Sequence, residues 1–193
     1  MSIPSLKTPL LAGKYYHLYN RGNNKERLFY YHGNYDFFLQ KYFMYLGPIV
    51  DTYGYCLLPN HFHFLIRIRD SETNPRKVSN QFRKLFISYA RQINNQEKRI
   101  GCLLSKNFRR IEINNEDYLK RLILYIHLNP KKHGIYSDIT SYKYSSFHKI
   151  ISNQTERINI TEIIDWFGGY ENLIEDHQIF RDDKKINGLK MEE

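Results

Sequence analysis

The stretch between residues 57 and 69, LLPNHFHFLIRIR, constrains the fold of this chain more than any other part of the sequence. From His61 onward polar and apolar side chains alternate, and successive side chains of a β-strand point to opposite faces of its sheet. His61 and His63 therefore share one face with Arg67 and Arg69. The other face is wholly apolar, which predicts that it covers a hydrophobic core.

Turn and capping residues divide the rest of the chain into strands and helices. Pro59-Asn60 predicts a tight turn between a strand at 50–58 and the histidine strand. Asn34 is a candidate N-cap for the first helix, and Asn129-Pro130 is expected to end the third. The predicted strands lie at 14–19, 50–58, 61–69 and 107–113, and the predicted helices at 35–46, 75–95 and 118–128.

These elements follow one another in the order β-α-β-β-α-β-α. The first six match the split-βαβ, ferredoxin-like arrangement, an antiparallel sheet with helices packed on it, so the predicted fold class is α+β. We expect one domain over residues 1–150. Residues 151–193 are predicted to form an acidic C-terminal extension that is partly helical and disordered at its end. This tail could fold over a basic groove or simply keep the protein in solution.

The charge of the chain is unevenly distributed. Residues 1–150 carry 24 Lys and Arg against 10 Asp and Glu, whereas residues 151–193 carry 5 against 10. A basic body with 17 Tyr and 12 Phe suits nucleic acid, because cations bind phosphates and rings stack on unpaired bases. A basic surface without such a ligand is the alternative. Two cysteines and no long apolar run predict a cytoplasmic protein with neither a disulfide framework nor a membrane partner.

The histidine pair indicates a metal or phosphate site. A divalent cation would need a third ligand, and the third predicted helix offers Asn129, whose amide oxygen suits Mg²⁺ or Mn²⁺ beside imidazoles. Tyr125 lies four residues earlier, on the same helical face. We therefore predict His61, His63 and Asn129 as metal ligands, with the phenol of Tyr125 close to the cation.

A phenol near a cation suggests phosphoryl chemistry. It is a poor nucleophile at neutral pH because its reference pKa is about 10, but a nearby cation favours the phenolate and polarises a phosphoryl oxygen. Attack by Tyr125 on a nucleic-acid phosphate would give a covalent phosphotyrosine link that stores the energy of the broken bond. In a chain with 17 tyrosines, a packing role for Tyr125 is the alternative.

Three blocks of sequence resemble a known family. They are YHLYNRGN at 16–23, LLPNHFH at 57–63 and YIHLNPKKHG at 125–134. In this order they resemble the REP-associated tyrosine transposases, a branch of the single-tyrosine HUH transposases related to the IS200-like insertion-sequence enzymes. The resemblance covers roughly residues 12–150. It implies the HUH endonuclease fold.

The resemblance also implies roles for the candidate residues. Tyr125 would attack single-stranded DNA that folds into a hairpin, leaving a 5′-phosphotyrosine and a free 3′-hydroxyl. His61, His63 and Asn129 would bind the metal, although the insertion-sequence relatives carry Gln at the position of Asn129. Those relatives act as dimers, whereas the REP-associated branch favours a monomer here.

Basic residues are candidates for phosphate contact, with a solvated charge as the alternative for each. Arg67 and Arg69 share the histidine face, and Arg21 follows the first strand. The full set of predicted DNA-binding residues is Arg21, Arg67, Arg69, Arg83, Lys84, Arg109, Arg110, Lys131 and Lys132.

Two other functions compete with a transposase. A hairpin DNA- or RNA-binding module without chemistry would not need both histidines together with Tyr125 and Asn129. A replication initiator or conjugative relaxase shares the HUH pattern, but the short chain lacks a helicase-like region.

Overall fold

In residues 8–106 and 108–180, which the computed structural model describes, four antiparallel strands form one sheet in the spatial order β2-β3-β1-β4. The strands are β1 (Tyr15–Arg21), β2 (Val50–Leu58), β3 (His61–Ile68) and β4 (Arg109–Ile113). The α-helices of this part are α1 (His32–Tyr45), α2 (Pro75–Gln96), α3 (Glu116–Lys132), α4 (Ser146–Ile151), α5 (Ile160–Phe167) and α6 (Tyr170–Phe180). The order and pairing confirm the predicted α+β, ferredoxin-like fold.

The alternation along β3 separates the two layers of helices. Phe62 and Phe64 face α1 and α2, where the ring centroid of Phe62 lies 5.0 Å from that of Phe38 and 6.0 Å from that of Phe86. His63 faces the other way, towards Tyr125 of α3. The sheet thus has a hydrophobic layer on one side and the predicted site on the other.

Helix α3 is longer than predicted. It does not end at Asn129-Pro130 but continues to Lys132. Proline disfavours a helical conformation in the residue before it and cannot donate to the carbonyl four residues back. Here Asn129 and Pro130 are both buried, and the carbonyl of Pro130 accepts from the backbone N–H of Ile135 at 2.9 Å. Burial of these residues offsets the lost hydrogen bond.

Other element ends differ by a few residues. Helix α1 begins at His32, so Asn34 is not its N-cap but lies in the first turn. Its Oδ1 instead accepts from the backbone N–H of Tyr30 at 3.0 Å and of Tyr31 at 3.1 Å. Strand β4 begins at Arg109. No helix of the described chain is long and apolar enough to cross a membrane.

The C-terminal extension packs into the same core as the rest of the chain, as far as residue 180. Ile163 and Leu173 are fully buried in the cluster that contains the sheet. Glu162 of α5 accepts hydrogen bonds from the hydroxyls of Tyr15 and Tyr53, the latter at 2.6 Å. The predicted disordered end falls on residues 181–193, outside the described residues.

A buried chain of polar side chains joins α6 to α3. His127 Nδ1 lies 2.8 Å from His177 Nε2, and His127 Nε2 lies 2.6 Å from Ser146 Oγ. Burial lowers the pKa of His177 to about 4 and holds the pKa of His127 well below its usual value. Both imidazoles are therefore neutral in the folded protein near pH 7, which indicates a structural role for His127.

This burial predicts that the protein loses stability in mild acid. The unfolded chain takes up a proton at His177 as the pH falls below about 6.5, whereas the folded chain does so only near pH 4. The contribution of neutral His177 to the free energy of unfolding is therefore fully present above pH 6.5. About 3 kcal/mol of it is lost as the pH falls from 6.5 to 4. Denaturant unfolding of His177→Gln across this range should show a shallower pH dependence than the wild type. His148→Gln, which replaces a half-buried histidine of α4, is the comparison variant.

Candidate active site

The two predicted ligand histidines lie at the start of β3. Their ring centroids are 5.3 Å apart, and His63 is fully buried. In the β1–β3 register, Tyr19 pairs with His63 and Arg21 pairs with His61. The first strand therefore places an aromatic ring and a cation beside the histidine pair.

Helix α3 brings Tyr125 to the same place. Its ring centroid lies 5.7 Å from that of His63, and Lys132 Nζ lies 4.7 Å from the centre of the phenol ring. Tyr125 is only 1% exposed. The residues around it are imidazoles and an ammonium rather than hydrocarbon alone, which is a setting for chemistry as well as for packing.

Asn129, one helical turn after Tyr125, has a buried polar atom that fits a metal ligand. The side chain is fully buried, and its Nδ2 donates to the carbonyl of Tyr125 at 2.9 Å. Its Oδ1 is buried without a hydrogen-bond partner among the described residues, which is costly unless another group satisfies it. A hard cation would do so. Within the described chain no three His, Cys, Asp or Glu residues form a metal site by themselves, and the Asn129 amide oxygen is a candidate for a third ligand beside imidazoles.

Two further histidines belong to the site although sequence reasoning assigned them no role. His17 Nε2 lies 2.9 Å from His63 Nδ1, and the ring of His133 lies 4.8 Å from that of His61. The alternation of β1 places His17 on the same face as Tyr19, but only the strand register reveals its neighbour. His133 follows Asn129 by four residues, and the expected end of α3 concealed that relation.

Four of the predicted DNA-binding residues surround this end of the sheet. Arg21 is exposed and pairs with His61 across the strands, and Arg109 is exposed opposite Tyr19. The last turn of α3 adds the remaining two, Lys131 and Lys132.

Arg67 and Arg69 share the histidine face in sequence but lie at the far end of the strand. At about 3.3 Å per residue, Arg67 is roughly 20 Å from His61. Its guanidinium is paired with Asp70 at 2.9 Å, and that of Arg69 with Asp51 at 2.9 Å. The structure does not bring these two arginines to the histidines.

The other three predicted contacts lie on the opposite side of the sheet. Arg83 and Lys84 are exposed on α2. Arg110 Nη1 donates to Ser79 of the same helix at 3.2 Å. Because α2 covers the face away from Tyr125, a hairpin bound at the histidines would meet these cations only by wrapping around the sheet edge.

Comparison with known proteins shows similarity to a curated protein and to a solved structure. No family model matches the chain. A curated protein of Haemophilus influenzae with the name "Putative REP-associated tyrosine transposase" is 29% identical over 105 residues, which are 51% of this chain and 60% of that protein. The match thus spans less than two thirds of the relative.

A solved structure shares the fold. It is described as the "REP associates tyrosine transposase bound to a REP hairpin", and it superposes with a TM-score of 0.63 at 17% identity, covering 79% of this chain and 86% of that one. At this identity the likeness shows the fold alone. In sequence and in fold, the chain resembles the REP-associated tyrosine transposases.

Proposed function

We propose that this protein is a metal-dependent transposase that cleaves and rejoins single-stranded hairpin DNA through a covalent link to Tyr125. The observation that carries the proposal is the contact of Tyr125 with His63 and Lys132, with the unsatisfied amide oxygen of Asn129 one helical turn further along α3. The similar solved structure supports hairpin DNA as the substrate, since that protein is bound to a REP hairpin.

The proposed reaction is a transesterification. Tyr125 Oη attacks the scissile phosphorus, and the bond from phosphorus to the 3′ oxygen breaks. The phenol gives up its proton and the departing 3′ oxygen takes one up, which leaves a 5′-phosphotyrosine and a 3′-hydroxyl. Attack by another 3′-hydroxyl reverses the step and restores the phenol, so no external energy source is needed.

His61, His63 and Asn129 are the residues that would hold Mg²⁺ or Mn²⁺, since imidazole nitrogens and a carbonyl oxygen suit either ion. When bound, the cation would polarise a phosphoryl oxygen as a Lewis acid. Arg21, Lys131 and the other cations at this end would bind the phosphates on either side. Their positive charge steers DNA towards the site.

The burial of Tyr125 favours a second candidate, a hairpin-binding module without chemistry. A phenol that is 1% exposed cannot reach a phosphate until its cover moves. The cover includes Lys132, a long exposed side chain at the end of α3, and such a side chain reorients in nanoseconds or less. Cleavage is therefore compatible with this burial. The monomeric state and the cytoplasmic location remain predictions from the sequence.

Adduct formation distinguishes the two candidates. The protein would be incubated with Mn²⁺ and end-labelled single-stranded DNA carrying a hairpin, then denatured. A transposase gives a labelled protein band that survives denaturation, whereas a binding module gives a shifted band only under native conditions. If no labelled protein band survives denaturation with any hairpin that the protein binds, the proposed chemistry is refuted.

The proposed metal site predicts a loss of cation affinity in a double variant. Replacing His61 and His63 by alanine removes two of three ligands, so Mn²⁺ binding measured by calorimetry should weaken by at least about a hundredfold. His148→Gln, at a histidine bonded to the carbonyl of Thr140, serves as the matched control. Equal Mn²⁺ affinity in the double variant and the wild type would remove the ligand assignment.

A further inference from the structure

Asn60 determines which nitrogen of His61 carries the hydrogen. Its Oδ1 lies 2.7 Å from His61 Nδ1, while its Nδ2 donates to the carbonyl of Lys25 at 3.4 Å. The second contact orients the amide so that its oxygen faces the ring. Because an amide oxygen only accepts, the hydrogen of the first contact belongs to His61 Nδ1.

Asn60 is itself held in place by the neighbouring turn. The backbone N–H of Gly22 donates to the carbonyl of Asn60 at 2.8 Å. Gly22 has no room for a side chain, since an added Cβ would lie 1.9 Å from the carbonyl oxygen of Glu26. The turn that holds Asn60 is therefore tightly packed and gives the amide a fixed position.

His17 makes the corresponding contact with the second ligand. Its Nε2 lies 2.9 Å from His63 Nδ1, and the two rings are nearly parallel, with centroids 5.1 Å apart. His17 is fully buried, so its ring cannot rotate without disturbing the stack with Tyr19. A hydrogen bond between these nitrogens needs one hydrogen, which either ring can donate. If His63 holds it, the lone pair of that imidazole is on Nε2.

We propose that Asn60 and His17 are positioning residues that hold His61 and His63 as Nδ1–H tautomers, so that each presents Nε2 to a divalent cation. The inference rests on the proposed function, because it assumes that these histidines bind metal. In a histidine that binds a metal through one ring nitrogen, the other nitrogen carries the N–H. A group that accepts this N–H fixes both the tautomer and the ring orientation. Here an amide and a third imidazole fill that role.

The tautomers can be measured without any reaction. Long-range ¹H–¹⁵N correlation spectra of the metal-free wild type should show a hydrogen on Nδ1 and none on Nε2 at both histidines. Asn60→Leu and His17→Phe remove the acceptors at similar size, and each should give mixed tautomers at its partner with Mn²⁺ affinity lowered about ten- to a hundredfold. Asn60→Asp and His17→Gln keep an acceptor and should retain the Nδ1–H tautomers.

An Nε2–H tautomer at His61 or His63 in the wild type would overturn the inference, and this spectrum decides the question even if a variant fails to fold. Unchanged Mn²⁺ affinity in folded Asn60→Leu and His17→Phe would overturn it as well. Failure of the proposed function looks different. In that case the tautomers and Mn²⁺ binding are as expected, but no covalent adduct forms with hairpin DNA.

Discussion

Tyr125→Phe is expected to abolish the covalent protein–DNA adduct while the protein still binds hairpin DNA. The variant keeps the buried ring beside His63 and under Lys132 and removes only the attacking oxygen. A single neutral hydroxyl contributes about 1 kcal/mol to binding, so hairpin affinity should change by no more than about fivefold. The adduct is measured on denaturing gels and binding by native mobility shift.

Tyr19 supplies a demanding comparison for this prediction. Its ring centroid also lies 5.7 Å from that of His63, so proximity to the histidines does not distinguish it from Tyr125. Tyr19→Phe should retain the adduct, as should Tyr136→Phe at an exposed position. An adduct that persists in Tyr125→Phe and disappears in Tyr19→Phe would identify Tyr19 of β1 as the nucleophile instead.

Deletion of residues 151–193 should prevent folding rather than release a restrained active site. The deletion removes the buried side chains Ile158, Ile163, Phe167 and Leu173 from the shared core. At about 1.5–3 kcal/mol each, their loss costs roughly 6–12 kcal/mol, comparable with the whole stability of a typical domain. Circular dichroism during heating should show no cooperative transition in the shortened chain.

A chain that ends at residue 180 is the control for this deletion. It retains α5 and α6 and every contact described above, so it should unfold cooperatively near the wild-type midpoint. Cooperative unfolding of residues 1–150 at that same midpoint would contradict the shared core and restore the extension as a separate appendage.

The local pattern of the sequence was sufficient for β3 and its hairpin. The strict alternation after His61 determines the two faces of the strand, and the prediction for β2 agrees with the structure at both ends. The position of Tyr125 could be predicted only through its spacing from Asn129 and the family resemblance. Its contact with His63 depends on how α3 packs across the sheet.

Features that depend on distant partners could not be predicted. His17 meets His63 because of the β1–β3 register, which no local pattern encodes. Arg67 shares a face with His61, but a shared face says nothing about distance along a strand. The end of α3 was misplaced because burial of Asn129 and Pro130 outweighs the local preference of proline.

Helix α3 therefore has a built-in weak point next to the proposed nucleophile. Pro130 has no N–H to donate to the carbonyl of Ile126, so the final turn is tied to the preceding one by fewer hydrogen bonds than an uninterrupted helix would provide. Fraying of this turn would displace Lys132 and leave Tyr125 in the part of α3 that packs beside His63. For the proposed cleavage of DNA, Pro130 therefore separates the part of α3 that holds Tyr125 from the last turn, which would have to move when a strand enters.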